Sequence, residues 1–424
     1  MDSLQGQSIN SRYSIRNFLG SGAFSVVYRG VDQTKHKAVA IKVESHCDQQ
    51  KLRQEAALMR ELLQGVKGVP HLKWSGEFRD SYAAVMTLTG QNLEDMLSLC
   101  GGKFSVKTVT MMARQLLSRL RDIHARGIIH RDLKPDNVAI GMSKRSSELY
   151  IIDFGLSILA KQAGNTEEMG RFVGSLAFSS LNVLAGVQLS YRDDLESLCY
   201  LLLFLLKGTL PWTMVENLNP ANIQQSSKAM KLKLPQQILC RDVPPAFGKI
   251  LTYAKSLEVG EMPDYHTLKL WLRELAHKCN FTFDRKFDWT IRTRTRGDPT
   301  LGLEIMKANR RLREEHSTAK LFQSAAMEVP EDSSESTPLP DVRHIEPRLL
   351  PMHFPYCESK PKDDTLEDLT GPSLSDDIRD NKLPEYSPYG HSRGKEKRTL
   401  ESKKKPSVTA DLRAYLNSTR TSNP

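Results

Sequence analysis

The sequence predicts an α+β architecture of two unequal lobes, a small β-rich one and a larger α-helical one, followed by a disordered tail. Three observations carry that reading. Short β-branched and aromatic runs come first, amphipathic helical patterns follow, and near Trp289 both patterns stop. Strands grouped ahead of helices, not alternating with them, describe a sheet on one side of the chain and a helical body on the other.

Within residues 13–45 the runs YSIRNFLG, SVVYRGV and AVAIKVE read as strands. Leu52, Ala56, Met59 and Leu63 recur at spacings of three to four and predict a helix over 48–63. A strand-like run over 82–88 closes the small unit. Helices are then predicted over 93–99, 106–126, 193–206, 247–257 and 265–277, with short strands near 138–140 and 149–152. The run LCYLLLFLL at 198–206 is too short for ~30 Å of hydrocarbon, so it reads as a helix buried on all sides. Residues 290–424 hold 13 of the 21 prolines, and 328–408 are rich in Pro, Ser and charge. Such a segment buries too little apolar surface to fold alone. Within the tail, 303–322 and 410–418 read as transient helices.

Charge and cysteine usage narrow the function classes. Residues 1–289 carry 37 Lys+Arg against 28 Asp+Glu, whereas the remainder is nearly balanced at 23 against 22. A basic folded part suits acidic ligands such as nucleotides or acidic peptides. Nucleic acid is not expected, because aromatic and basic residues are not interleaved. The six cysteines form no CxxC pair, which predicts reduced thiols in a cytoplasmic, or also nuclear, protein and no zinc site or disulfide scaffold. The N-terminal MDSLQGQSIN lacks an apolar leader core, and Asp2 stands where myristoylation needs glycine. Neither secretion nor membrane insertion is expected.

Four segments bear chemistry. Gly20, Ser21, Gly22, Ala23, Phe24, Ser25, Val26 and Val27 form a glycine-rich turn between predicted strands. There the backbone can approach a polyphosphate and meet it with N–H groups, although alone such a GxG is an ordinary turn. Lys42 ends the apolar strand Val39-Ala40-Ile41, and Glu55 lies thirteen residues on, upon a helix facing that sheet. Paired, the two would fix an ammonium against α- and β-phosphate oxygens. In His130-Arg131-Asp132-Leu133-Lys134-Pro135-Asp136-Asn137, polar types at fixed offsets sit in apolar surroundings. Asp132 would take or orient the proton of an attacking hydroxyl, Lys134 would neutralise the transferring group, and Asn137 would ligate a metal. Asp153, in Ile151-Ile152-Asp153-Phe154-Gly155, would deliver a carboxylate suited to Mg²⁺. Together these form the protein kinase signature set.

Longer pieces resemble the casein kinase I group of serine/threonine protein kinases. They are GVPHLKWSG (68–76), GQNLEDML (90–97), KFSVKTV (103–109), SSLN (179–182) in place of Ala-Pro-Glu, YRDDLESLCYLLLFLLKGTLPW (191–212) and KFDW (286–289). The resemblance implies a bilobal protein-kinase fold over 13–289, with an N-lobe to about 88 and a C-lobe over 91–289, binding ATP and Mg²⁺ and acting on Ser/Thr of protein substrates as a monomer. It further implies Leu19, Val27 and Ala40 around adenine, Met86 as gatekeeper, Thr87 and Leu88 as hinge, and Asp194 anchoring the catalytic loop. By the same likeness, serines and threonines of 333–408 are candidates for autophosphorylation.

The chain departs from that family at several positions. Ser25 replaces the third glycine, predicting a stiffer loop tip and a modest change in nucleotide handling. Ala177 stands where the family has arginine, Ile158 where it is basic, and 219–225 lack the usual Lys/Arg run. Lost preference for primed substrates is therefore expected. The segment 153–182 is short; Arg131 could pair a phosphate on Thr166 or Ser175, but constitutive activity is favoured. A pseudokinase scaffold is the rival reading, against which the intact Lys42, Glu55, Asp132, Asn137 and Asp153 argue. The basic run at 393–405 fits either a nuclear import signal or solvated charge.

Overall fold

A computed structural model describes residues 4–22, 25–44, 50–164, 174–214 and 220–291, with the side chains of 214 and 220–223 left aside. Expectations for Ala23, Phe24, Thr166, Asn219 and the side chains of 220–223, the two helical islands, the basic run and the tail beyond 291 lie outside what is described. Strands β1 (Ser8–Ile9), β2 (Tyr13–Ser21), β3 (Ser25–Asp32) and β4 (Lys37–Glu44) precede helix α1 (Lys51–Glu61). Strands β5 (Leu72–Phe78) and β6 (Ser81–Thr87) follow, and the sheet runs β1-β2-β3-β4-β6-β5, antiparallel throughout.

Period-two alternation gives this sheet two different faces. Val39, Ile41 and Val43 of β4 join Tyr13, Ile15, Ala83 and Val85 in a small core. Ala40 and Lys42 point the other way, opposite Met86 and Ala84 on one side and Arg29 and Val27 on the other. The sequence reading missed β5, whose residues LKWSGEF are half-exposed or exposed along its length. An edge strand with so little burial leaves little hydrophobic signal.

The second part is helical. Its helices are α2 (Leu93–Leu99), α3 (Val106–His124), α4 (Leu181–Ala185), α5 (Tyr191–Lys207), α6 (Pro220–Lys233), α7 (Gln236–Leu239), α8 (Pro245–Ser256) and α9 (Tyr265–Lys278). Short strands β7 (Ile128–Ile129), β8 (Val138–Ile140), β9 (Leu149–Ile151) and β10 (Ile158–Leu159) make two small ladders, β8–β9 and β7–β10. As expected of its apolar run, α5 is central: Asp193 through Leu203 are all buried, and the helix ends at left-handed Gly208. No described helix is long and apolar enough to cross a membrane. After α9 the chain returns to the start of α3. There Asp288 accepts from Ser105 N (2.6 Å) and Ser105 Oγ (2.7 Å), and Trp289 stacks on Phe287 and meets Phe104.

Candidate active site

The cleft face of the sheet supplies the first charged group. Lys42 is buried, and its Nζ donates to Glu55 Oε2 at 2.6 Å and to Asp153 Oδ1 at 2.8 Å. Glu55 lies on the buried stripe of α1 with Leu52, Ala56 and Met59. Its second oxygen, Oε1, accepts from Phe154 N at 3.1 Å. One carboxylate thus ties β4, α1 and the segment after β9 together. Burial disfavours the ammonium, but the two carboxylates outweigh it and hold Lys42 charged. Burial pushes Glu55 up despite Lys42. Partial loss of water also works against charge on Asp153, where the ammonium wins and holds the carboxyl below the ordinary range.

The catalytic-loop candidates converge from the other side. Asp132 is buried, and its Oδ2 accepts from Lys134 Nζ at 2.6 Å and from Asn137 Nδ2 at 2.8 Å. Its Oδ1 is buried with no hydrogen-bond partner among the described residues. An orphaned carboxylate oxygen is costly unless a ligand meets it, so it marks where a hydroxyl would dock. Burial opposes charge on Lys134, but Asp132 more than compensates and raises its pKa. Ladder β8–β9 brings Asn137 beside the Asp153 segment, since Ile152 N donates to Asn137 O at 2.9 Å. Arg131 and Asp153 both take left-handed backbone, φ 72° and 65°. Non-glycine residues rarely do so, and such strain gathers at functional sites.

Asp194 of α5 holds the loop. Its Oδ2 accepts from His130 N at 2.6 Å and its Oδ1 from Arg131 N at 2.8 Å. His124 Nε2 donates to Oδ2 at 3.0 Å, while Tyr265 Oη donates to His124 Nδ1 at 2.5 Å. Burial opposes its charge, yet these donors keep Asp194 below the ordinary carboxylate range. The stability it contributes is therefore present above its unfolded value of about 3.9 and lost as pH falls through the lower folded value. Asp194→Asn turns one acceptor into a donor facing an N–H. It is expected to cost about 2–4 kcal/mol, seen as a lower urea midpoint at unchanged slope. His130 braces the loop: its Nδ1 accepts from Asp132 N (3.3 Å), its Nε2 meets Ile152 O (3.3 Å), and its ring packs edge-on to Phe154.

The nucleotide candidates divide by strand register. Val27, Ala40 and Met86 share the face of Lys42, and Gly20 pairs with Val27 beyond them. A Cβ at Gly20 would meet nothing within 4 Å, which leaves space over the turn. Leu19 lies at a bulge and is exposed. Register refines one expectation and corrects another. Val26 pairs with Val43, so its side chain belongs to the opposite face and only its backbone remains for a ligand. Ser25 is not at the loop tip: it is a buried β3 residue opposite Glu44, and its carbonyl accepts from Gly22 N at 2.8 Å, closing the turn. Ser21 pairs with Val26 just before that turn. At the hinge, Thr87 N donates to His71 O at 2.9 Å, whereas Leu88 makes no main-chain hydrogen bond among the described residues.

The donor set fits magnesium. Asn137 Oδ1 and Asp153 Oδ2 accept no hydrogen bond among the described residues, and Asp153 is 49% exposed at the cleft. Among those residues no group of three or more His, Cys, Asp or Glu could cage an ion. Two hard oxygens with room for phosphate and water suit Mg²⁺, which keeps much of its shell outside the protein. His124 and Tyr265 escaped the sequence reading. His124 had left a trace, lying one turn beyond Leu120 on the apolar stripe of α3. A sequence model of the protein kinase domain matches residues 13–265.

Proposed function

The chain belongs to the protein kinase family, and on that premise we propose that it is an active serine/threonine kinase of casein kinase I-like character. The reading rests on one observation above the others: the unpartnered Asp132 Oδ1, buried beside Lys134 and Asn137. In the proposed reaction ATP lies under the glycine turn, with Val27, Ala40 and Met86 against adenine and Leu88 offering main-chain groups. Lys42, fixed by Glu55, holds α- and β-phosphate oxygens. Asn137 and Asp153 would hold Mg²⁺, which when bound offsets charge on the phosphates. A substrate hydroxyl oxygen attacks the γ-phosphorus as the bond to ADP breaks, and its proton passes to Asp132 Oδ1. Lys134 steadies the charge on the moving group. Protein substrates, a monomeric state and a cytoplasmic, or also nuclear, location belong to the same proposal. Mg²⁺-dependent transfer of labelled phosphate from ATP to a serine peptide tests it; no transfer above the Asp132→Asn control leaves the pseudokinase scaffold instead.

Weak preference for primed substrates is also proposed. Ala177 packs against the core with its carbonyl taken by Trp212 Nε1 at 2.7 Å, and Ile158 is half-buried opposite Ile129. Neither side chain carries charge to an upstream phosphate. Matched peptides with and without an upstream phosphoserine should show KM values within about threefold. One retained charge-assisted bond would separate them by tenfold or more, roughly.

A further inference from the structure

Beside Asp132 runs the loop 174–180, and an unusual cation sits beneath it. Gly174 has φ +112°, and a Cβ there would lie 2.8 Å from Arg131 O and 3.8 Å from Asp132 Oδ1. The loop therefore passes directly alongside the orphaned oxygen, and any hydroxyl brought to Oδ1 arrives next to it. From α5, Asp193 Oδ1 accepts from Ser180 Oγ at 2.7 Å and Glu196 Oε1 from Leu181 N at 3.2 Å. From α6, Lys231 reaches in, only 3% exposed. Its Nζ donates to Leu176 O at 2.9 Å and to Ser179 O at 2.7 Å. The rings of Tyr200 and Trp212 stand nearly perpendicular to each other, and Nζ lies 4.8 Å and 4.9 Å from their centroids.

Isolated lysines are almost never buried this fully; an ammonium so placed needs both hydrogen bonds and a favourable field. Here two carbonyls and two ring faces provide them. Burial nevertheless pulls the group down to about 7, with Glu196 opposing. The neutral amine still has two N–H donors, matching the two carbonyls, so the tie does not depend on the charge. Nothing in the transfer chemistry above uses Lys231, and the catalytic loop has its own anchor in Asp194.

We propose that Lys231 is a positioning residue for the peptide substrate, fixing loop 174–180 from below so that the substrate chain is laid beside Asp132. This rests on the kinase reading and adds to it a residue that acts on the peptide and not on the nucleotide. The test uses the full chain. Wild-type transfer to a serine peptide is measured first, and its absence would sink the kinase reading without bearing on Lys231. Given transfer, Lys231→Met should raise the peptide KM about tenfold or more while the KM for ATP stays put. Amide hydrogen exchange should quicken in 174–181 and not in α5. Lys231→Arg, which keeps the donors, should recover part of the peptide KM. An unchanged peptide KM with unchanged exchange would overturn the proposal, as would a fall in kcat together with a rise in both KM values. If Lys231→Met does not fold, Trp212→Phe takes its place, removing both the N–H to Ala177 O and part of the ring face against which Lys231 Nζ rests. It must then raise the peptide KM selectively, and no rise would equally refute the idea.

Discussion

Asp132→Asn is expected to lower kcat by about 10²–10⁴-fold while leaving ATP affinity and thermal stability near those of the unaltered protein. The replacement has the same shape. Its amide oxygen can still accept from Lys134 Nζ and Asn137 Nδ2, as Oδ2 does at 2.6 and 2.8 Å. The amide nitrogen then occupies the place of Oδ1, which has no partner to lose. What disappears is the site that takes the hydroxyl proton. Single-turnover transfer from Mg²⁺-ATP to a serine peptide reads the chemical step, and calorimetric nucleotide titration reads binding. A variant within tenfold of the original rate would remove Asp132 from the chemistry.

Lys42→Met should affect both turnover and stability. Loss of a fixed donor on developing phosphate charge typically costs about 10²–10³ in kcat. The same change leaves Glu55, only 4% exposed, without its ammonium. Breaking a buried pair costs roughly 3–5 kcal/mol, but Glu55 is already pushed upward by burial and can escape part of that by taking a proton. A drop in Tm of about 5–10 °C follows for a domain of this size. The sign of the pH effect is fixed. Below the unfolded value of about 4.3 Glu55 is neutral in both states and imposes no penalty. As pH rises above it, the folded state holds its proton while the unfolded state releases it, so the deficit grows. The Tm gap between variant and parent should therefore be wider at pH 8 than at pH 5. Lys42→Met/Glu55→Gln should restore much of the Tm and none of the activity. Equal gaps at both pH values would show that Glu55 does not feel Lys42.

How far these groups could be read from the chain depended on where each lies. Lys42 and Asp153 each follow an apolar run, Glu55 falls on the apolar stripe of α1, and Asp132 and Asn137 lie in a polar segment between apolar runs; polar residues in such settings need partners. Helix α5 was legible for the same reason, since nine apolar residues in a row demand burial. The two faces of β3 and β4 were not, because register decides them. A contiguous motif such as residues 20–27 suggests that all its side chains serve one ligand, whereas pairing turns the Val26 side chain to the other face of the sheet. Helix α6 was harder still. Its sequence PANIQQSSKAMKLK has no apolar stripe, and Lys231 looks like any surface lysine until the rings of Tyr200 and Trp212 appear around it. His124 and Tyr265 meet across 141 positions of chain, a separation no local pattern reports.

The Asp288 clasp at the start of α3 also determines where the rest of the chain departs. Helix α3 has 19 residues, about 28 Å at 1.5 Å each, and the loop bearing Asp132 follows its far end. The clasp therefore holds the last described residues at the opposite end of α3 from the loop that bears Asp132.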